Sequence, residues 1–183
     1  MIIDTHTHTF PDRIAARALA GMEKSIVDKH DWNVKIKVAG TRDALSESTK
    51  KNGVDISVVV PVATKPEQSA SINEFAAQTN EKTKETGVFS LGAIHPDNED
   101  YKDILDDIKK KGLKGIKVHP DYQKVEFDDP RYLRIFKYAD ELGLVIVTHA
   151  GEDIGLPEKI HCTPDMVLNV LNKVNPKKLV LAH

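Results

Sequence analysis

His6 and His8 are spaced to hold a metal ion. They close the segment Met1-Ile2-Ile3-Asp4-Thr5-His6-Thr7-His8, a short apolar run ending in His-x-His. Residues i and i+2 of an extended chain project to the same side, so both imidazoles reach one point at a strand end. Neutral imidazole is a ligand for zinc and its neighbours. The other histidines reinforce the pattern. His95, His119, His149 and His183 each follow an apolar run. In a parallel sheet all such ends lie on one face, where α/β barrels build their active sites. Together His6, His8 and His149 read as metal ligands. His149 ends Val145-Ile146-Val147-Thr148, and Gly151 lets the chain turn away. His183 ends Lys178-Leu179-Val180-Leu181-Ala182 in the same manner. Lys117 lies in Gly115-Ile116-Lys117-Val118-His119-Pro120 and shares a face with His119. A lysine inside a sheet structure is costly unless neutralised, carbamylated or paired.

The elements that must carry these residues follow a repeating unit of amphipathic helix, glycine and apolar strand. Helices are expected over 41–52, 67–86, 98–111, 130–142 and 163–174. Strands are expected over 54–61, 88–95, 113–119, 144–149 and 178–183, with the opening strand as a sixth. Glycine at 53, 87, 112 and 143 supplies the left-handed residue that ends a helix. Asp129-Pro130 and Thr163-Pro164 put a capping side chain before proline at the first helical position. The strands are near-continuous apolar runs, the signature of strands buried on both faces of a parallel sheet. The alternation implies α/β with right-handed crossovers. Residues 10–40 exceed a plain crossover. Residues 11–29 have helical spacing, and 32–38 read as a loop or short extended piece. A packing helix with a surface loop is the favoured reading there, and a lid over the site the alternative.

Composition narrows the function. The 183 residues suffice for one domain, 1–183, with a real core. The net charge of −2 gives no electrostatic case for nucleic acid or an anionic membrane. The lone Cys162 forbids an intrachain disulfide, and no basic leader precedes a long apolar run, so a cytoplasmic setting is expected. No apolar run approaches the ~20 residues of a membrane span. His161 is read as a surface-loop residue, with substrate contact as the alternative. His95 either lines the pocket or bonds backbone. His30 is read as exposed, Trp32 as packing, and Lys109-Lys110-Lys111 as a solvated helix end. Cys162 has no neighbouring base to make it a nucleophile.

The ordered segments "IIDTHTH", "GAIHPD", "GIKVHP", "VTHAG" and "LVLAH" resemble the amidohydrolase superfamily. The similarity is greatest to its amidohydrolase-related branch, which includes aminocarboxymuconate semialdehyde decarboxylase, and it extends over essentially the whole chain. The resemblance implies a TIM-type (β/α)8 barrel, here six βα units and so cut short after strand six. It implies metal ligation by His6, His8 and His149. His183 matches a histidine that ligates a second metal or polarises substrate. Lys117 stands where binuclear members carry a carboxylated lysine. The strand-eight aspartate that accepts a proton has no counterpart within 183 residues, so a longer protein is expected. TatD-type nucleases would place a glutamate where Lys117 stands. The polymerase-and-histidinol-phosphatase family would follow His-x-His with a Ser-Asp-Gly-like turn, not Phe10-Pro11-Asp12. A flavodoxin-like sheet would need a phosphate-cradling glycine loop after strand one, and His6-Thr7-His8-Thr9 is not one.

The expected function is metal-dependent hydrolysis of a small-molecule amide, ester or lactone by metal-activated water. The ion would be divalent, Zn2+ first, as one ion or two. Decarboxylation of a small carboxylic acid on the same ligands is the alternative, and an inactive barrel fragment a third. The expected partner is a small-molecule substrate, with self-association left open.

Overall fold

The computed structural model describes residues 1–183 as two compact units. The first comprises Met1–Val59 and Gln78–Phe89, the second Val60–Ala77 and Ser90–His183. Strands pair in parallel, as continuous apolar runs demand.

The first unit holds a three-stranded sheet in the order β1 (Ile3–Thr7), β2 (Ile56–Val59), β3 (Val88–Ser90). β1 pairs with β2 through Ile3–Ile56 and Asp4–Ser57, then slips register before Thr7 meets Val59. An irregularity of this kind re-aims the residues in and beyond it; His6 lies within it and His8 just after. α1 (Asp12–His30) and α2 (Arg42–Lys51) fill the connection. The Thr41 hydroxyl accepts from the Ala44 N–H at 3.2 Å to start α2. Residues 32–38 form no regular element. Trp32 is half exposed and stacks on His30 at 4.7 Å, and Ile36 N–H donates to Glu23.

The second unit holds a four-stranded sheet in the order β4 (Gly92–Ala93), β5 (Gly115–Val118), β6 (Val145–His149), β7 (Leu179–Ala182). Its helices are α3 (Ser69–Glu81, whose last residues belong to the first unit), α5 (Tyr101–Lys110), α6 (Pro120–Gln123), α7 (Pro130–Glu141) and α8 (Pro164–Lys173). The one-turn α4 (Thr83–Thr86) lies in the first unit. All four residues of β5 are buried. α7 buries Tyr132, Ile135, Phe136 and Ala139 in the core. Full burial of such a side chain contributes ~1.5–3 kcal/mol, so α7 fastens the sheet that carries the site. Asp129 caps α7 through Arg131 N–H at 2.8 Å, and Thr163 caps α8 through Met166 N–H.

Three local expectations are corrected. The strand expected over 88–95 is interrupted at Leu91, so β3 belongs to one sheet and β4 to the other. There the Asn73 side chain takes both backbone groups of Ala93, at 2.8 and 3.1 Å. The helix expected over 67–86 is a 3-10 turn (Pro66–Gln68), α3 and α4. Gln68 turns its side chain back to the N–H groups of Thr64 and Lys65, and a 3-10-type bond from Lys82 N–H to Thr79 breaks the run. The short α6 was not expected; His119 caps it, and Pro120 occupies its first position.

Candidate metal centre

In the first unit, His6 and His8 lie at the end of β1 with their Nε2 atoms 3.2 Å apart. Metal–nitrogen bonds of ~2.0–2.1 Å put two cis imidazole nitrogens roughly 3.0–3.4 Å apart, so this pair has the spacing of two ligands on one ion.

In the second unit, β6 delivers His149 to the strand end. The residue is buried, and its Nε2 has no hydrogen-bond partner. The His119 ring stacks on it at 4.3 Å and 12°, and the His183 ring lies 4.9 Å from it at 44°. Gly151 then adopts φ 89°, and its N–H bonds the Cys162 carbonyl at 3.0 Å. That bond closes a loop over 151–162 and turns Asp153 inward. Asp153 Oδ2 lies 3.3 Å from His119 Nε2 and 3.9 Å from His149 Nε2, while Oδ1 accepts the Gly155 N–H at 2.7 Å. One ligating atom from each of His119, His149 and Asp153 falls within 4.8 Å of the others.

The charge states suit a cation. The hydrogen bond from His119 holds the Asp153 carboxyl below its ordinary range, helped by the Gly155 N–H and opposed by burial. Burial pushes His149 below an ordinary histidine, and neighbouring His119 adds to it. An ionised carboxylate and a neutral imidazole are the forms that bind metal.

Around this group lies a buried polar network. Asp121 Oδ1 accepts both the backbone N–H of His161 at 3.0 Å and its ring Nδ1 at 2.9 Å. Gln123 accepts from His119 N–H and from the Tyr132 hydroxyl, and donates to the carbonyls of Ala63 and Ile94. Lys117 on β5 is almost wholly buried, with no partner for Nζ, and burial drops it to about 8. Burial pushes the Cys162 thiol up to about 12, which leaves no thiolate for nucleophilic work near neutrality.

The second unit therefore gathers His149 and His183 and also contains Lys117, while His6 and His8 form their own pair in the first. Sequence reasoning gave His119 a face but no role, and it missed Asp153. The signal for Asp153 was its position four residues past His149, just after the turning Gly151. His161 is tied to Asp121. His95 is buried, and its Nδ1 accepts the Asp97 N–H at 3.1 Å, the backbone-bonding alternative.

A family model described as Amidohydrolase matches residues 3–183. The chain belongs to the amidohydrolase family. No curated protein matches it. Among solved structures it resembles 5-carboxyvanillate decarboxylase LigW of Sphingomonas paucimobilis (TM-score 0.68, 16% identity), covering 100% of this chain and 67% of that one. It also resembles a 5-carboxyvanillate decarboxylase of Novosphingobium aromaticivorans complexed with manganese and 4-hydroxy-3-methoxy-5-nitrobenzoic acid. There the TM-score is 0.61 and the identity 14%, over 96% of this chain and 55% of that one. A third likeness is to a probable 2-pyrone-4,6-dicarboxylic acid hydrolase of Acinetobacter baumannii with citric acid bound. That match has a TM-score of 0.58 and 13% identity, over 100% of this chain and 58% of the other. The chain thus spans about two thirds or less of their length. The fold is the α/β, TIM-type barrel fold of this family, over the part of it that the chain spans. No helix is long and apolar enough to cross a membrane.

Proposed function

We propose that this protein is a metal-dependent hydrolase of a small-molecule amide, ester or lactone. One observation carries the reading: in an amidohydrolase-family chain, His149 holds a buried, unpartnered Nε2 at a strand's C-terminal end, facing a carboxylate. A buried polar nitrogen without a partner costs about 1–3 kcal/mol, and a cation at this position removes that cost. The donor set of imidazoles and one carboxylate fits Zn2+ or Mn2+.

From the sequence, His6, His8 and His149 are assigned to the ion, and Lys117 to a second ion if carboxylated. A divalent ion supplies Lewis-acid polarisation and a water of lowered pKa. The protein's own groups do the rest. Asp153, its carboxyl held below the ordinary range, is a carboxylate of the second unit placed beside the ion. His183, beside His149, orients the substrate. The single buried cysteine fits work in a reducing cytoplasm.

The decarboxylase reading draws on the named activity of two of the resembling structures. Against it, a substrate carboxylate is best held by a bidentate arginine, and of the second unit's two arginines one is fully engaged and the other, Arg134, is partly so, its buried Nε left unpaired. Arg131 binds Asp97 and Asp129, and Arg134 binds the carbonyls of Pro96 and Asn98. Metal analysis of the purified protein, then a screen of lactones, esters and amides beside aromatic carboxylic acids, tests both. Turnover of the first group supports hydrolysis, and carbon dioxide release from the second alone reverses the order.

A further inference from the structure

Asp121 is a buried carboxylate with one oxygen employed and one idle. Oδ1 accepts two hydrogen bonds from His161. Oδ2 is buried and has no hydrogen-bond partner, and His119 Nδ1 lies 4.0 Å from it. Fixing the loop through His161 needs only Oδ1. The second oxygen calls for a different explanation, because leaving it bare in the interior is unfavourable.

The His119 ring supplies one. Its Nδ1 accepts a long 3.4 Å bond from the Tyr122 N–H, and its Nε2 faces Asp153 Oδ2. With Nδ1 accepting, a neutral ring carries its proton on Nε2 and donates it to Asp153. That tautomer cannot ligate through Nε2. The other tautomer, protonated on Nδ1, frees the Nε2 lone pair towards His149 and Asp153. It also turns an N–H toward Asp121 Oδ2, a donor that must close a 4.0 Å gap by a small ring rotation, and it gives up the long bond from Tyr122 N–H. A carboxylate behind a histidine ligand is the usual way proteins fix ring orientation and tautomer at a metal.

Resting on the reading that a divalent cation sits at His149, we propose that His119 Nε2, His149 Nε2 and Asp153 Oδ2 are the second unit's ligands to that cation, with Asp121 as the positioning residue that selects the ligating tautomer of His119. The cation takes the place of the Nε2 proton, and Nδ1 takes up one proton, so the His119 ring stays neutral throughout. Asp121 serves both ends of the set. It faces His119 directly, and through His161 it pins the neck of the loop that carries Asp153.

The test titrates the metal-free protein with Co2+, followed by its visible absorption, and with Zn2+ by calorimetry. Long-range proton–nitrogen spectra report the imidazole tautomers. His119→Gln and Asp153→Asn are each expected to weaken binding at least tenfold and to change the Co2+ spectrum. Asp121→Asn is expected to weaken it by about ten- to a hundredfold at an unchanged melting temperature, with partial rescue by Asp121→Glu. With Zn2+ bound, His119 should be protonated on Nδ1. Unchanged affinity and spectrum in His119→Gln and Asp153→Asn would overturn the ligand set. Full affinity in Asp121→Asn would overturn the positioning role. If Asp121→Asn does not fold, the tautomer in the unaltered protein decides, and an Nε2-protonated His119 in the Zn2+ state overturns the proposal. An unaltered protein that binds neither cation overturns the metal reading itself, an outcome distinct from all of these.

Discussion

The Nε2 atoms of His6 and His8 stand 3.2 Å apart although their residues are two positions apart along an exposed strand end. With one ring donating and the other accepting, the pair is a hydrogen bond, and the same spacing suits two ligands of one cation. Replacing His6 or His149 by Ala should therefore cut metal retention at least tenfold in elemental analysis of the purified protein. His30→Ala, a change to a ring stacked on Trp32, should leave it intact. Equal retention in all three variants would remove the assignment.

Lys117 gives a second prediction. An ordinary lysine titrates near 10.5, and burial brings this one to about 8. Its folded-state value is lowered, so between about 8 and 10.5 the unfolded chain binds a proton that the folded chain refuses. Stability of the metal-free protein should then fall as pH drops from 10.5 to 8 and carry the full penalty below 8. The gap is worth on the order of 3 kcal/mol. Lys117→Met should raise the urea midpoint at pH 7 and flatten this slope. A destabilised Lys117→Met protein at pH 7 would mean that Nζ is satisfied in solution, with carboxylation as the first candidate. A metal ratio near two that falls in Lys117→Ala would support that candidate, and a ratio near one, unaffected, would exclude it.

Much of this molecule was legible from the chain because its signals are local. Glycine 87 and glycine 143 end helices in the left-handed conformation as expected, and Asp129 and Thr163 cap as expected. Burial on both faces followed from apolar continuity for β5 and β6, but not for β1 or β7, the edge strands of their sheets, where Ile3, Val180 and Leu181 are about half exposed. What escaped depends on distant partners. Nothing near residue 91 reveals that the Asn73 side chain will take Ala93's backbone groups and interrupt a strand. The site divides the same way. His149 was visible because it ends a strong strand. Asp153 was not, because its position depends on the bond from Gly151 N–H to the Cys162 carbonyl, eleven residues away. His161 read as a loop residue because its partner, Asp121, lies forty positions earlier.

Acid should loosen the centre in a defined window. Burial holds His149 below the ordinary 6.5. The unfolded chain therefore takes up a proton first as pH falls through 6.5, and the folded metal-free protein loses stability from there down to the folded value. Asp153 acts lower. Its depressed carboxyl contributes stability that persists above 3.8 and is lost as pH falls through the folded value. Urea midpoints between pH 7.5 and 5 should decline in the unaltered protein and decline less in His149→Gln. Parallel slopes would show that His149 is not the group responsible.

Backbone packing under the site can be tested independently of metal. Gly115 opens β5 with no room for a side chain. A Cβ there would be driven into the Val145 carbonyl oxygen and would sit 2.9 Å from the Val145 Cβ. Overpacking of this kind costs typically ~1–3 kcal/mol, and here the obstacle is the neighbouring strand's backbone. Gly115→Ala should lower the melting temperature by several degrees and weaken the β5–β6 pairing that aligns Lys117 with Val147. Phe136→Ala, which empties the core beneath the same sheet, should cost about 3–5 kcal/mol. A Gly115→Ala protein as stable as the original would mean that β5 and β6 are farther apart than described.

Two arginines of the second unit bear on the proposed reaction class. Arg131 is held by Asp129 at 2.9 Å and by Asp97 at 2.6 Å, and the Asp129 carboxyl is drawn down by that contact. Arg134 spends Nη2 on two backbone carbonyls and lies 4.9 Å from the Tyr101 ring centroid. Recruiting either for a substrate carboxylate would break these contacts and leave the paired aspartates exposed to each other. A hydrolase acting on a neutral lactone, ester or amide makes no such demand, since that substrate needs polarisation and a proton acceptor. Arg131→Gln should therefore reduce stability by about 1 kcal/mol or less, in keeping with a partly exposed ion pair, and leave kcat/KM for a neutral substrate within about threefold. Decarboxylation would respond otherwise: loss of a bidentate carboxylate contact costs ~1.5–3 kcal/mol of binding, seen as a tenfold or larger rise in KM. A large rise in KM for an aromatic acid in Arg131→Gln, with carbon dioxide released by the unaltered protein, would establish decarboxylation and displace the hydrolase reading.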